Sequence, residues 1–179
     1  MTMPMDNLHQ LLLTRHSIRR YKDQPVDADD VSKILEAALL APTSKSARPW
    51  EFVVIEDKDM LARLADCKQF GTKPIASAAF AVAVTADTTK SDVYIEDASI
   101  AAVFMHLQAA DLGLGSCWIQ VRNRLAADGE SSETIVRELL DIPEHMAVEC
   151  IVTFGHIDED RKPVDPSKLL WEKIHIGRW

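Results

Sequence analysis

Apolar spacing divides the chain into elements before any single residue type does. Leu8, Leu11 and Leu12 share one side of a short amphipathic helix. From Arg15 to Pro25 the helical period is lost and the backbone reads as extended. Asp27 is a good N-cap; Val31, Ile34, Leu35, Ala38 and Leu39 then repeat at helical spacing until Pro42 stops the run. A polar loop, Thr43 to Pro49, leads to a strand over 52–55. A helix over 58–67 follows, packed through Met60, Leu61 and Leu64, and then a buried strand over 80–85. The segment 92–112 reads as helix with apolar residues on several faces, among them Ile95, Ile100, Phe104 and Leu107. In a chain this small, such a helix points to cover by a second subunit. Gly113 is placed to end it. A strand over 117–121, a helix over 133–140 ended by Pro143 and a strand over 147–154 complete the pattern. The tail from Asp158 is polar but carries Leu169, Leu170, Trp171, Ile174, Ile176 and Trp179. So many large apolar groups should pack, on this subunit or on its neighbour. Helices and strands mix without a steady βαβ rhythm. The expected fold is α+β, in three layers, with a mixed central sheet flanked by helices.

The length, 179 residues, fits one domain over 1–179. A hydrophobic share of 47% supplies a core without disulfide staples. The formal charge of -8 argues against a general binder of nucleic acid or anionic membrane, because phosphates would repel it. Cys67, Cys117 and Cys150 are odd in number and form no C-x-x-C, so a reducing cytoplasm is the expected setting. The N-terminus lacks the basic start and apolar length of a signal peptide. The longest weakly polar run, 74–86, falls short of the roughly 20 residues of a membrane span. The histidines, at 9, 16, 106, 145, 156 and 175, show no H-E-x-x-H spacing, so no metal site is expected.

Against this acidic background three segments stand out. In Arg15-His16-Ser17-Ile18-Arg19, an extended backbone puts Arg15, Ser17 and Arg19 on one side and Ile18 on the other. Two guanidinium forks and a hydroxyl make a cradle for a phosphate dianion; a solvated basic loop is the plainer reading. The loop Pro42-Thr43-Ser44-Lys45-Ser46-Ala47-Arg48-Pro49 crowds hydroxyls, N–H groups and two cations between a helix and a strand. It reads as a binding loop or as a turn with caps. In Gly113-Leu114-Gly115-Ser116-Cys117-Trp118-Ile119-Gln120, a dinucleotide fingerprint fails because Trp118 stands where a third glycine is needed. A helix stop, then a strand able to lie close to a flat ligand, fits better. Cys117 reads as a packing residue, with no base partner in view.

Taken in order, these segments resemble the nitroreductase superfamily. The resemblance rests on R-x-S-x-R, A-P-[ST]-S-x-x-x-x-P-W-E-F, V-Y-I-E-D-x-x-I-A-A, G-L-G-S-C-W-I and the closing R-W, which together span nearly the whole chain. It implies an α+β homodimer with FMN at the subunit boundary. It implies that Arg15, Ser17 and Arg19 hold the FMN phosphate, with His16 nearby and Arg178 adding a contact. Pro42, Thr43, Ser44, Lys45 and Ser46 would come from the other subunit and line the ring and ribityl chain. Cys117, Trp118, Ile119 and Gln120 would run along the isoalloxazine, with a backbone N–H at or beside Gln120 aimed at N5. Gln69 would reach the pyrimidine edge, and Lys45 or Arg48 would supply positive charge near N1 and O2.

The activity implied is ping-pong hydride transfer from NADH or NADPH to flavin N5 and on to a nitroaromatic, quinone or similar small acceptor. Other flavin chemistry, such as dehalogenation, and a non-enzymatic flavin-binding module stay open beside it. The chain departs from the family's commoner pattern in places. Ser46 stands where many members have Asn, Arg48 where many have Gln, and Gln120 and Val121 where many have Gly. A K-x-x-R-P-W form exists in the family, so the departures bear on ring-edge contacts and substrate choice.

Overall fold

In β2 (Phe80–Asp87), side chains alternate between two separate cores. Phe80, Val82, Val84 and Ala86 face one way, Ala81 and Ala83 the other. The computed structural model describes residues 7–179. Its sheet has the order β1-β2-β4-β3, with β1 over Trp50–Ile55, β3 over Gly115–Gln120 and β4 over Met146–Gly155. On the first face lie α1 (Asn7–Thr14), α2 (Ala28–Leu39) and α5 (Tyr94–Asp111). On the second lie α3 (Lys58–Leu64), α4 (Lys73–Ser77) and α6 (Ser132–Leu139). The expected three layers are therefore present.

The sheet is not mixed. Every strand pair, β1 with β2, β2 with β4 and β3 with β4, is antiparallel. The single parallel contact among the described residues is an isolated bridge, Ser17 to Ser116. Helices α3 and α4 join β1 to β2, and α6 joins β3 to β4, each pair running in opposite senses; α5 joins β2 to β3, which share a direction but are separated by β4. The helix predicted over 58–67 ends at Leu64, and the short α4 has no counterpart in the apolar pattern. Asp27 caps α2 as expected, its carboxylate accepting from the Asp29 N–H at 2.9 Å. Gly113 ends α5 at φ 74°, the left-handed region that glycine tolerates. Among the described residues no helix is long and apolar enough to cross a membrane.

Segment 15–21 lies against the sheet because two glycines make room for it. Gly115 and Gly155 are cross-strand partners at the edge of β3 and β4. A Cβ on Gly115 would come within 2.7 Å of Ile18, and one on Gly155 within 3.0 Å of Tyr21. Ile18 and Tyr21 are buried there. The Tyr21 hydroxyl donates to the Ile18 carbonyl at 2.8 Å and shares a 2.8 Å bond with the Thr153 hydroxyl. Burial pushes this phenol well above its ordinary value, so it stays a neutral donor. The sequence pattern suggests glycines that admit a flat ligand; at Gly115 the close neighbour is Ile18.

Candidate active site

The period-2 reading of the basic segment is seen only at Ile18 and Arg19: Arg15 still donates its N–H to the Leu11 carbonyl of the preceding helix, and Arg20 is exposed while Tyr21 is buried beside Ile18. Ile18 is buried, its N–H donating to the Ser116 carbonyl at 2.9 Å, while Arg19 is exposed. Ser17 is bridged to Ser116, so the cradle sits beside the start of β3. Neither Arg15 nor Arg19 forms an ion pair among the described residues. The nearby carboxylate of Glu159 is engaged otherwise: it pairs with Arg161 at 2.8 Å and accepts from the Arg19 backbone N–H. His16 lines a cavity of about 330 Å³ with Arg15, Ser116, Glu159, Asp160 and Arg161, and its Nε2 is buried without a partner. The Arg15 guanidinium and the unpartnered ring nitrogen in this cavity, with the exposed Arg19 four residues on, fit a phosphate group.

Under this segment lies His106, to which the sequence pattern assigns no role. It is 8% exposed, and its Nδ1 is 2.7 Å from the Ser116 hydroxyl. Burial, and then the Arg15 charge, push its pKa down to about 4. Folded His106 is therefore neutral at pH 5, whereas the unfolded chain's histidine is protonated there. The sign follows: this contribution to stability is complete above about pH 6.5 and is lost as pH falls toward 4. A shift of that size is worth on the order of 3 kcal/mol. Urea unfolding at pH 7.5 and pH 5 should show about 2 kcal/mol of this fall, and H106Q should remove most of it. An unchanged slope in H106Q would assign the pH dependence to other groups.

The loop before β1 is strained and tied. Lys45, Ser46 and Arg48 have φ values of 52°, 55° and 45°, a conformation that residues with a Cβ seldom adopt. Inside the loop, the Arg48 N–H donates to the Thr43 hydroxyl at 3.1 Å. The anchor is Asp97 on α5, which is 2% exposed. Its carboxylate accepts from the Ser44 N–H at 2.8 Å and from the Ser91 hydroxyl at 3.1 Å. Lys45 and Ser46 stay exposed, as residues offered to a second subunit would. Asp97 belongs to the V-Y-I-E-D motif, yet nothing in the local sequence gives it this task. The adjacent Glu96 keeps Asp97 from standing out as a carboxylate on this helix. Asp97→Ala should cost about 1–3 kcal/mol, the penalty for orphaning buried donors. Asp97→Asn should recover much of that in denaturant titrations, because an amide oxygen can still accept.

Strand β3 divides its side chains. Cys117 and Ile119 enter the second core, and burial raises the Cys117 thiol above its ordinary value. Trp118 and Gln120 lie on the other side, the indole Nε1 donating to the Gln120 side-chain oxygen at 2.9 Å. The Gln120 amide nitrogen in turn donates to the Arg122 carbonyl at 3.0 Å. Its side chain is thus fully used, and its carbonyl accepts from Lys68 Nζ at 3.2 Å. Gln69 is exposed, and its N–H donates to the Leu125 carbonyl at 3.1 Å. Arg178 is not brought to the cradle of its own chain. It lies among exposed tail residues 173–179 and has no polar bond to Arg15 or Arg19.

Comparison with known proteins matches this geometry to one group. The Nitroreductase family model matches residues 12–87 and 67–156. The chain belongs to the nitroreductase family. A relative from Archaeoglobus fulgidus, named as a candidate NADH dehydrogenase/NAD(P)H nitroreductase, is 34% identical over 98% of this chain and 100% of its own length. The structure of an FMN-dependent nitroreductase from Clostridium difficile superposes with a TM-score of 0.93 at 46% identity, covering 94% of this chain and 98% of that one. A second structure, from Parabacteroides distasonis, gives 0.88 at 29% identity over 97% and 99% of the two chains. The match to the family model includes the cradle, the strained loop, α5 and β3, the elements that the nitroreductase resemblance singles out in the sequence.

Proposed function

We propose that this nitroreductase-family chain, as one domain over 1–179, is an FMN-dependent oxidoreductase taking electrons from NADH or NADPH. Its acceptor is a small molecule of the nitroaromatic or quinone kind. The observation that carries the reading is the pair Arg15 and Arg19, without ion-pair partners among the described residues, on either side of Ser17 on a segment seated against β3. In a chain of net charge -8, two guanidiniums that pair with no carboxylate among the described residues call for an anion. The printed names of the Clostridium and Archaeoglobus relatives support FMN as that anion and NAD(P)H as the donor.

Bound FMN would supply the hydride chemistry itself; the protein supplies position and field. Arg15, Ser17 and Arg19 grip the phosphate, and His16 offers its unpartnered nitrogen beside them. The backbone of Cys117 to Gln120 lines the ring, and Gln69 stands at its polar edge. The loop from Pro42 to Ser46 crosses from a second copy, where Lys45 contributes positive charge. Support for a homodimer comes from uncovered apolar surface. Leu8, Leu11, Leu40, Phe104 and Leu107 line one open cleft of about 450 Å³. Ile100 and Val103 are exposed on α5, and Leu169, Leu170, Trp171, Ile174, Ile176 and Trp179 are exposed along the tail. A second copy covers the cleft, and its tail carries Arg178 toward the cradle of this one. The three cysteines are unpaired and buried, in keeping with a reducing cytoplasm.

The test is direct. Purified protein should carry a yellow flavin spectrum that NADH or NADPH bleaches under anaerobic conditions, and light scattering should give a dimer. Protein that stays colourless and takes up no added FMN overturns the reading.

A further inference from the structure

Two loops meet just past the end of β3, one running from Cys67 to Thr72 and the other from Val121 to Ser131. The Gln69–Leu125 backbone bond of 3.1 Å ties them together. Between them lies a cavity of about 340 Å³, lined by Lys68, Gln69, Phe70, Asn123, Arg124 and Leu125. The lining holds two cations and no carboxylate. Neither cation forms an ion pair among the described residues. Both rest on neutral carbonyls instead: Lys68 Nζ donates to the Gln120 carbonyl at 3.2 Å, and Arg124 Nη1 donates to that of Asn123 at 2.9 Å. Burial pushes the Lys68 ammonium below its ordinary value, and Arg124 pushes it the same way. Phe70 is 75% exposed beside them.

Two like charges sharing a cavity repel, and an uncovered aromatic ring is costly in water. A ligand with an anionic group on a planar apolar body relieves both. We propose that this cavity docks the anionic group, a carboxylate or a phosphate, of a planar reactant that reaches the flavin site. The inference rests on the oxidoreductase reading and names the class of reactant. Lys68 couples the cavity to that site, because its ammonium holds the carbonyl of Gln120, the residue placed at the reactive edge of the ring. Arg124 presents a fork suited to a carboxylate or phosphate, and Phe70 a face for the ring.

Two sources of the anion are distinguished by one set of kinetics. With FMN-loaded protein and NADH as donor, para-nitrobenzoate and its neutral isostere para-nitrobenzamide are compared as acceptors through their KM values. The acid should be preferred, and R124Q should shift the ratio of the two KM values about tenfold toward the amide, the loss of one charge-assisted contact. With the amide as acceptor, NADPH is compared with NADH. A shift confined to NADPH assigns the anion to the donor's extra phosphate. Calorimetric titration of the protein with para-nitrobenzoate, without donor, reads binding apart from turnover and should weaken by a similar factor in R124Q if the acid is the ligand. Unchanged ratios in both comparisons, or an equal loss for all four reactants, overturn the proposal. Failure to take up FMN would instead sink the oxidoreductase reading, and the titration would still decide whether the cavity binds the anion.

Discussion

Replacing Arg15 and Arg19 together by alanine should weaken FMN binding by about 100-fold or more while leaving riboflavin binding nearly unchanged. Each guanidinium offers charge-assisted hydrogen bonds, individually worth about 1.5–3 kcal/mol. Riboflavin has the same ring and ribityl chain but no phosphate, so the difference between the two ligands isolates the cradle. Quenching of flavin fluorescence on titration with apoprotein gives both constants. Arg20→Ala is the control: Arg20 is an exposed cation of the same segment with no assigned part in the cradle, and the variant's affinity should stay within about twofold of wild type. If the double variant weakens riboflavin as much as FMN, the segment holds the fold and not the phosphate.

Gly115→Ala adds one methyl group and should damage both stability and cofactor binding. Its Cβ would lie 2.7 Å from Ile18 Cγ2 and 2.8 Å from Ile18 Cβ. Rotating the Ile18 side chain relieves the first contact but not the second, so the backbone of segment 15–19 must shift. Overpacking of this kind costs about 1–3 kcal/mol. The shift also moves Ser17, the bridge partner of Ser116 and the centre of the cradle. FMN affinity should fall by about tenfold, comparable to one misaligned charge-assisted bond. Denaturant midpoints and the same fluorescence titration test this. Unchanged values in both would mean that the segment does not depend on close contact with β3.

What could be read before folding was what depends on near neighbours in the chain. The apolar repeat of α2, its Asp27 cap and its stop before Pro42 are local, and each stands where the spacing put it. The contrast between buried Ile18 and exposed Arg19 is equally local. Helix α4 escaped because five residues, Lys73–Ser77, are too few to show a period. The sense of strand pairing escaped because it joins distant segments, such as Phe80 with Phe154. The supporting residues escaped for the same reason. Asp97 matters through Ser44, His106 through Ser116, and Lys68 through Gln120, and each of these pairs meets only in the folded chain.

The placement of the indoles gives the chain two separate optical reporters. Trp50 is buried and Trp118 half-buried in the body, whereas Trp171 and Trp179 stand in solvent on the tail. Emission from the first pair follows unfolding of the body, and emission from the second follows engagement of the tail by whatever surface receives it. Phenylalanine replacements at 171 and 179 would separate the two signals, so that tail docking could be timed independently of global denaturation.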